Sequence, residues 1–223
     1  MKRLTTILLI AAMLITAACA LASQPDHELT ARSVVPADAE LLRTRTDDGL
    51  TVYDFRAANG QTCEVKIDPK TGGVVHVEVD VAGGKGGASA VLTPEQAQAA
   101  LLALYPDADI FLTSQERDDG RYEYRLHFRT AAYLGRAELN AETGALMEAE
   151  LDYTSAASLP AQGPLTADEA KALALLLVAN GRITDFETER EDGRKVYEGE
   201  IRSDDGSFDF VIDAETGRFL EWE

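Results

Sequence analysis

Apolar and polar residues alternate with period two over much of the chain, and short helical stretches interrupt the alternation. Toward the C-terminus the pattern places Phe186, Tyr197, Ile201, Phe208, Phe210, Ile212, Leu220 and Trp222 on one face. Glu187, Glu198, Asp209 and Glu221 fall on the other. Strands covered on one side only read this way. Glu191-Asp192-Gly193-Arg194 and Asp204-Asp205-Gly206 predict hairpin turns between them, since Asp and Gly tolerate the positive φ that tight turns require, and Asp213-Ala214-Glu215-Thr216-Gly217 predicts a third. Four antiparallel strands are therefore expected. Ahead of them Thr166 and Glu169 form a capping-box pattern, Ala170, Leu173, Ala174 and Leu177 recur at helical spacing, and Asn180-Gly181 supplies a stop. The helix should cover the apolar face of the sheet.

This unit repeats. Leu92 to Glu150 aligns without a gap on Leu165 to Glu223 at a constant offset of 73. Glu116-Arg117-Asp118-Asp119-Gly120-Arg121 falls on Glu189-Arg190-Glu191-Asp192-Gly193-Arg194, and Ala141-Glu142-Thr143-Gly144 on Ala214-Glu215-Thr216-Gly217. Thr93 with Gln96, and Pro94 at the first helical position, predict the middle helix, which Tyr105-Pro106 should end. The alignment assigns Tyr124, Leu126, Phe128, Leu139 and Met147 to the inward face of the middle repeat. Upstream, Asp48-Gly49, Tyr53 and Asp68-Pro69-Lys70-Thr71-Gly72 mark a partial copy whose inward set is Tyr53, Phe55, Cys63, Val65, Ile67, Val75, Val77 and Val79. Its helix is not recognisable in the short, polar segment holding Pro25 and Pro36, so a sheet without a helix is expected there. Gly83-Gly84-Lys85-Gly86-Gly87-Ala88-Ser89 reads as flexible coil and Thr154 to Pro164 as an extended connector. The expected architecture is α+β, with tandem repeats of one helix on a four-stranded antiparallel sheet. Its parts are 1–22 (signal), 23–83 (strands only), 90–153 and 164–223.

Met1-Lys2-Arg3 followed by an apolar run from Leu4 to Ala22, ending in a small-x-small site, is the layout of a removable export signal. Thr16-Ala17-Ala18-Cys19 also fits a lipidation motif in which Cys19 becomes the acylated N-terminus. Both processing routes stay open, and both place the mature chain outside the cytoplasm, secreted or anchored to the outer face of the cytoplasmic membrane. The formal net charge of −18 becomes two units more negative when Lys2 and Arg3 leave with the signal. A field of that sign disfavours nucleic acid and anionic lipid surfaces as partners and favours basic ones. Cys19 and Cys63 are the only cysteines, so no disulfide framework is available to the mature chain. Cys63 takes the place of Phe208 in the repeat and reads as a small buried hydrophobe.

Little in the sequence points to catalysis. His27, His76 and His127 form no spaced ligand set, and His76 and His127 fall on outward strand positions where a solvated ring is expected. No phosphate-binding, dinucleotide or nucleophile-elbow motif occurs. Asp118, Asp119, Glu191, Asp192, Asp204 and Asp205 sit where turn chemistry accounts for them, and no calcium-loop pattern surrounds them. No metal, cofactor or catalytic residue is assigned. The exposed hairpin tips, with Asp118, Asp119, Arg121, Glu191, Asp192 and Arg194, are the candidate binding residues, because they concentrate charge on rigid strands.

The segment from Leu165-Thr166-Ala167-Asp168-Glu169-Ala170 through Val196-Tyr197-Glu198 to Thr216-Gly217 resembles PepSY domains; the middle copy is similar to them, and the first only in its strands. The resemblance implies a non-catalytic module that inhibits or regulates a secreted or cell-envelope enzyme such as a peptidase. No peptidase segment is read in the chain, so inhibition would act in trans. A structural or adaptor lipoprotein of the cell surface without inhibitory activity is the alternative. The implied partner is an exported or cell-wall protein, and contact with membrane would come only through a lipid on Cys19.

Overall fold

Four strands recur three times in the computed structural model, which describes residues 26–154, 163–204 and 206–223. The segment read as an export signal, with Cys19, lies outside the described residues, as does most of the connector from Thr154 to Pro164. The first repeat comprises α1 (His27–Arg32), β1 (Glu40–Asp47), β2 (Leu50–Arg56), β3 (Gln61–Ile67) and β4 (Val74–Val81). The middle one comprises α2 (Pro94–Leu104), β5 (Asp109–Asp118), β6 (Arg121–Arg129), β7 (Leu134–Asn140) and β8 (Leu146–Asp152). The last comprises α3 (Ala167–Leu175), β9 (Arg182–Glu191), β10 (Arg194–Ser203), β11 (Gly206–Asp213) and β12 (Phe219–Trp222).

The expected caps form. The Thr93 and Thr166 hydroxyls accept from the amides of Gln96 and Glu169, whose side chains accept in turn from the amides of the threonines. Tyr105 caps α2. Helix α3 stops at Leu175, earlier than its apolar spacing suggests, and Leu176 and Leu177 continue in tighter turns bonded to Leu173 and Ala174. The first repeat is not without a helix: α1 is six residues long, with Asp26 at its N-cap accepting from the Leu29 amide. It is too short to show a periodicity, and Pro36 lies beyond its end rather than within it.

The three Asp-Gly hairpins share one geometry. Asp48, Asp119 and Asp192 have φ of 47°, 46° and 49°, and the glycines after them 82°, 79° and 83°. Positive φ at both central residues is the two-residue turn that matches strand twist. The third turn of each repeat is also shared. Asp68, Asn140 and Asp213 each accept through Oδ1 from an amide two residues on, at 2.8–2.9 Å.

Two bulges recur with the fold. One sets Ile67 opposite Val74, Leu139 opposite Leu146 and Ile212 opposite Phe219, which leaves Val75, Met147 and Leu220 as the extra residues. A bulge reverses side-chain parity. Val74, Leu146 and Phe219 therefore join the cores, and Val75, Met147 and Leu220, expected inward, do not. The other makes Leu42, Phe111 and Thr184 the extra residues of β1, β5 and β9.

The repeats do not each keep a separate sheet. β4 pairs antiparallel with β8, which joins the first two into one eight-stranded sheet ordered β1-β2-β3-β4-β8-β7-β6-β5. The last repeat forms its own sheet, ordered β12-β11-β10-β9. One core, including Phe55, Val65, Val77, Leu101, Leu126 and Phe128, runs through the joined pair. The last core holds Leu173, Tyr197, Ile201, Phe210 and Phe219, and takes in Phe111 and Leu112 from β5. Cys63 is buried, and burial pushes its thiol up to about 11. A tyrosine ties sheet to helix in both full repeats. The Tyr124 hydroxyl donates to the Leu92 carbonyl at 2.7 Å and that of Tyr197 to the Leu165 carbonyl at 2.9 Å, each one residue before the N-cap.

Candidate functional site

Helices cover one face of each sheet, so the opposite faces and the hairpin tips are the surfaces on offer. The tips differ in how free they are. At the β5–β6 tip the Arg121 guanidinium donates to the Gly86 carbonyl at 3.0 Å, and Gly87 and Tyr122 exchange backbone hydrogen bonds of 2.7 and 2.8 Å. Asn140 donates to the Lys85 carbonyl at 2.6 Å, and the Ala88 amide donates to Glu142 at 3.1 Å. The segment Gly83–Ser89, expected to be flexible coil, is thus fastened to the middle repeat. Its glycines serve close approach: a Cβ on Gly86 would meet the Tyr122 carbonyl oxygen at 2.9 Å, and one on Gly87 the Glu142 nitrogen at 2.8 Å.

At the β9–β10 tip Glu191 and Asp192 are exposed. Arg194 reaches Asp213 at 3.9 Å, and Arg190 donates to the Gly193 carbonyl at 3.5 Å. Asp213 is buried; burial opposes its ionisation, but the Thr216 and Glu215 amides outweigh this and hold its carboxyl below the usual range. Asp119 and Arg121 belong to one sheet and Glu191, Asp192 and Arg194 to the other, and among the described residues no hydrogen bond or ion pair joins the two tips. Asp118 and Arg121 are partners across the β5–β6 ladder, as Glu191 and Arg194 are across β9–β10.

The outward face of the large sheet is charge-paired. Arg125 lies 2.6 Å from Glu116 and 3.1 Å from Glu138, and Arg136 lies 3.4 Å from Glu148 and 3.0 Å from Glu150. Arg45 joins Glu64 and Asp54. Where the repeats meet, Glu78 stands opposite Glu150 and Asp80 opposite Glu148. Burial, and then neighbouring carboxylates, raise the carboxyls of Glu78 and Glu148. A cleft of about 630 Å³ lies between this face and the Gly83–Ser89 segment, bordered by Asp80, Lys85, Arg117, Glu123 and Arg125. No group of three or more metal-ligating side chains occurs among the described residues.

His127 occupies an outward position but is not solvated as expected. The Phe111 ring lies 6.3 Å from it, under the last repeat, and burial first, then Arg136 and Arg125, push its imidazole down to about 3. The parity was legible in the sequence; the cover was not, because Phe111 reaches the outward face through the β5 bulge, which leaves no mark in an alternating pattern. Strand parity also could not show that the outward face of the last repeat lacks the arginines that pair the large sheet. Comparing Arg125 and Arg136 with their aligned positions, Glu198 and Asp209, would have shown it.

Helix-backed antiparallel sheets in tandem, with acidic hairpins and open outer faces, define a repeat protein whose exposed surfaces are sheet faces and turns. Residues 91–150 and 164–223 each match the PepSY family, described as the peptidase propeptide and YPEB domain. The chain belongs to this family. Among solved structures, it is similar to a candidate lipoprotein of Clostridium difficile 630 at 22% identity, covering 59% of this chain and 92% of that one, with a TM-score of 0.29. The YpeB C-terminal domain of Bacillus megaterium is 12% identical over 88% of this chain and 95% of its own, with a TM-score of 0.41. A BLIP-like protein of Bacteroides fragilis NCTC 9343 is 11% identical over 54% and 80%, with a TM-score of 0.25. No curated protein matches the chain. No helix among the described residues is long and apolar enough to cross a membrane.

Proposed function

We propose that this chain is an exported, non-catalytic binding module that inhibits or regulates a secreted or cell-envelope enzyme such as a peptidase. The observation that supports this is the presence of two PepSY units whose outer sheet faces no helix covers among the described residues. Rigid sheets with open faces suit recognition of another protein, and the acidic surface suits a partner of opposite charge. Binding, rather than turnover, is what such a surface offers.

The test is to add residues 23–223 to the exported fraction of the source cells and follow peptidase activity. Loss of one activity in proportion to added protein, with the chain left intact, is the expected result. Unchanged activities throughout the fraction would remove the inhibitory part of the proposal. Recovery of the chain solely as a lipid-anchored membrane protein would then favour the adaptor role.

A further inference from the structure

Equivalent outward positions carry opposite charge in the two full repeats. Where β6 and β7 hold Arg125 and Arg136, the same offset puts Glu198 and Asp209 on β10 and β11, and Glu200 takes the place of the uncharged His127. The register sets Glu198 opposite Glu187, and Glu200 opposite both Asp185 and Asp209. Like charges directly opposite on a sheet are destabilising. The fold does not demand them, since the middle repeat builds the same strands with Arg125, His127 and Arg136 there. Glu189, Glu221 and Glu223 extend the field, and a cleft of about 330 Å³ lies over it. Of these eight carboxylates only Glu200 has an ion-pair partner among the described residues, Arg202 at 2.7 Å.

A second feature is independent of charge. β9 is the outer strand of its sheet, pairs among the described residues only with β10, and is exposed along most of its ten residues. An open edge presents unpaired backbone donors and acceptors and is a template for another strand. The equivalent edges differ: β1 carries Arg43 and Arg45 in ion pairs, and β5 has Phe111 and Leu112 buried against the last repeat.

We propose that β9 accepts an extended segment of a partner protein, whose alternate Lys or Arg side chains lie over the acidic outer face. The residues between them pass the Phe186 side of the strand, where Lys171 already sits 4.4 Å over the ring, and are apolar rather than basic. This rests on the binding-module proposal and gives it a surface and a partner chemistry.

Titration of residues 23–223 with three ten-residue peptides tests it. One alternates Lys and Val, the second has the same composition in two blocks, and the third is the alternating peptide methylated on every second backbone nitrogen. The alternating peptide should bind, weakening as salt rises, and the other two should bind about tenfold or more weakly. The double variant Glu198→Arg/Asp209→Arg, which borrows the charges of the middle repeat, should melt no lower than wild type and lose about tenfold or more in affinity. Equal binding of the blocked or methylated peptide, unchanged binding by the variant, or no binding at all overturns the proposal. A native partner retained equally by wild type and variant overturns this surface alone; failure to retain any partner overturns the binding-module proposal beneath it.

Discussion

The ring of Phe111, on the edge strand of the middle repeat, lies 6.1 Å from the ring of Phe219 in the last. Phe111 is the extra residue of the β5 bulge, so it points away from its own core and completes the neighbour's. Phe111→Ala should therefore destabilise the last repeat and not the middle one, by about 3 kcal/mol as for other buried Phe truncations. Trp222, the single tryptophan, packs 5.4 Å from Phe219 and reports this directly. Its fluorescence transition in urea should move to lower denaturant and separate from the circular-dichroism transition of the large sheet. A single coincident, unshifted transition would contradict this docking.

Glycine is required at two inward positions by a phenylalanine lying across the strand. Gly135 is directly opposite Phe128, and Gly199 opposite Phe210. A Cβ on Gly135 would run into the Phe128 ring, and one on Gly199 would meet Phe210 at 2.7 Å and the Asp185 carbonyl oxygen at 2.8 Å. Gly135→Ala and Gly199→Ala should each cost about 1–3 kcal/mol by overpacking, measured by urea denaturation. Gain of stability by either variant would show that the ring moves freely.

The tyrosine tie gives a smaller effect. Tyr197→Phe removes the donor to the buried Leu165 carbonyl and should cost about 1–2 kcal/mol. Thermal melting of the variant, with Phe in the same space, isolates the hydroxyl.

Stability should depend on pH through His127. Its imidazole, held near 3 in the fold, regains an ordinary value near ~6.5 when the chain unfolds. Between those values the unfolded state binds a proton that the folded state does not. Stability is thus intact above ~6.5 and is lost as pH falls through this window. Glu78 and Glu148, whose carboxyls are raised by burial, act in the opposite sense. The comparison is therefore wild type against His127→Gln, whose stability difference should change steadily between pH ~6.5 and ~4.5, the wild type losing more. Parallel pH profiles would show that the ring is already protonated in the fold.

What could be read from the sequence is what local chemistry encodes. Thr93 with Gln96 and Thr166 with Glu169 mark the helix starts, and the Asp-Gly pairs mark the turns, because each motif satisfies its own backbone. Val75, Met147 and Leu220 were misplaced because a bulge shifts parity by one residue without leaving a mark in an alternating pattern. The joining of β4 to β8 was equally hidden. Val77 and Val79 alternate alike whether their strand is an edge or a centre, and the pairing partner lies about 70 residues away. The candidate tips were legible as turns. That Arg121 would be bonded to Gly86 was not, because a glycine run reads as flexible until the backbone against which it packs is known.

The first repeat should depend on the second. Its helix spans only six residues, and β4 lies mid-sheet against β8. Residues 23–83 expressed alone should show no cooperative melt, whereas residues 23–153 should melt in one transition; a cooperative melt of the shorter fragment would contradict the shared core.

The central claim is that the chain binds an exported protein without acting on it chemically. Passing the exported fraction over immobilised residues 23–223, then running the eluate with fresh protein on size exclusion, tests this most directly. The account predicts one protein that co-elutes in fixed proportion, leaves both chains intact by mass, and dissociates as salt is raised. Recovery of no partner, or of a partner cleaved or modified in the presence of the chain, would contradict it.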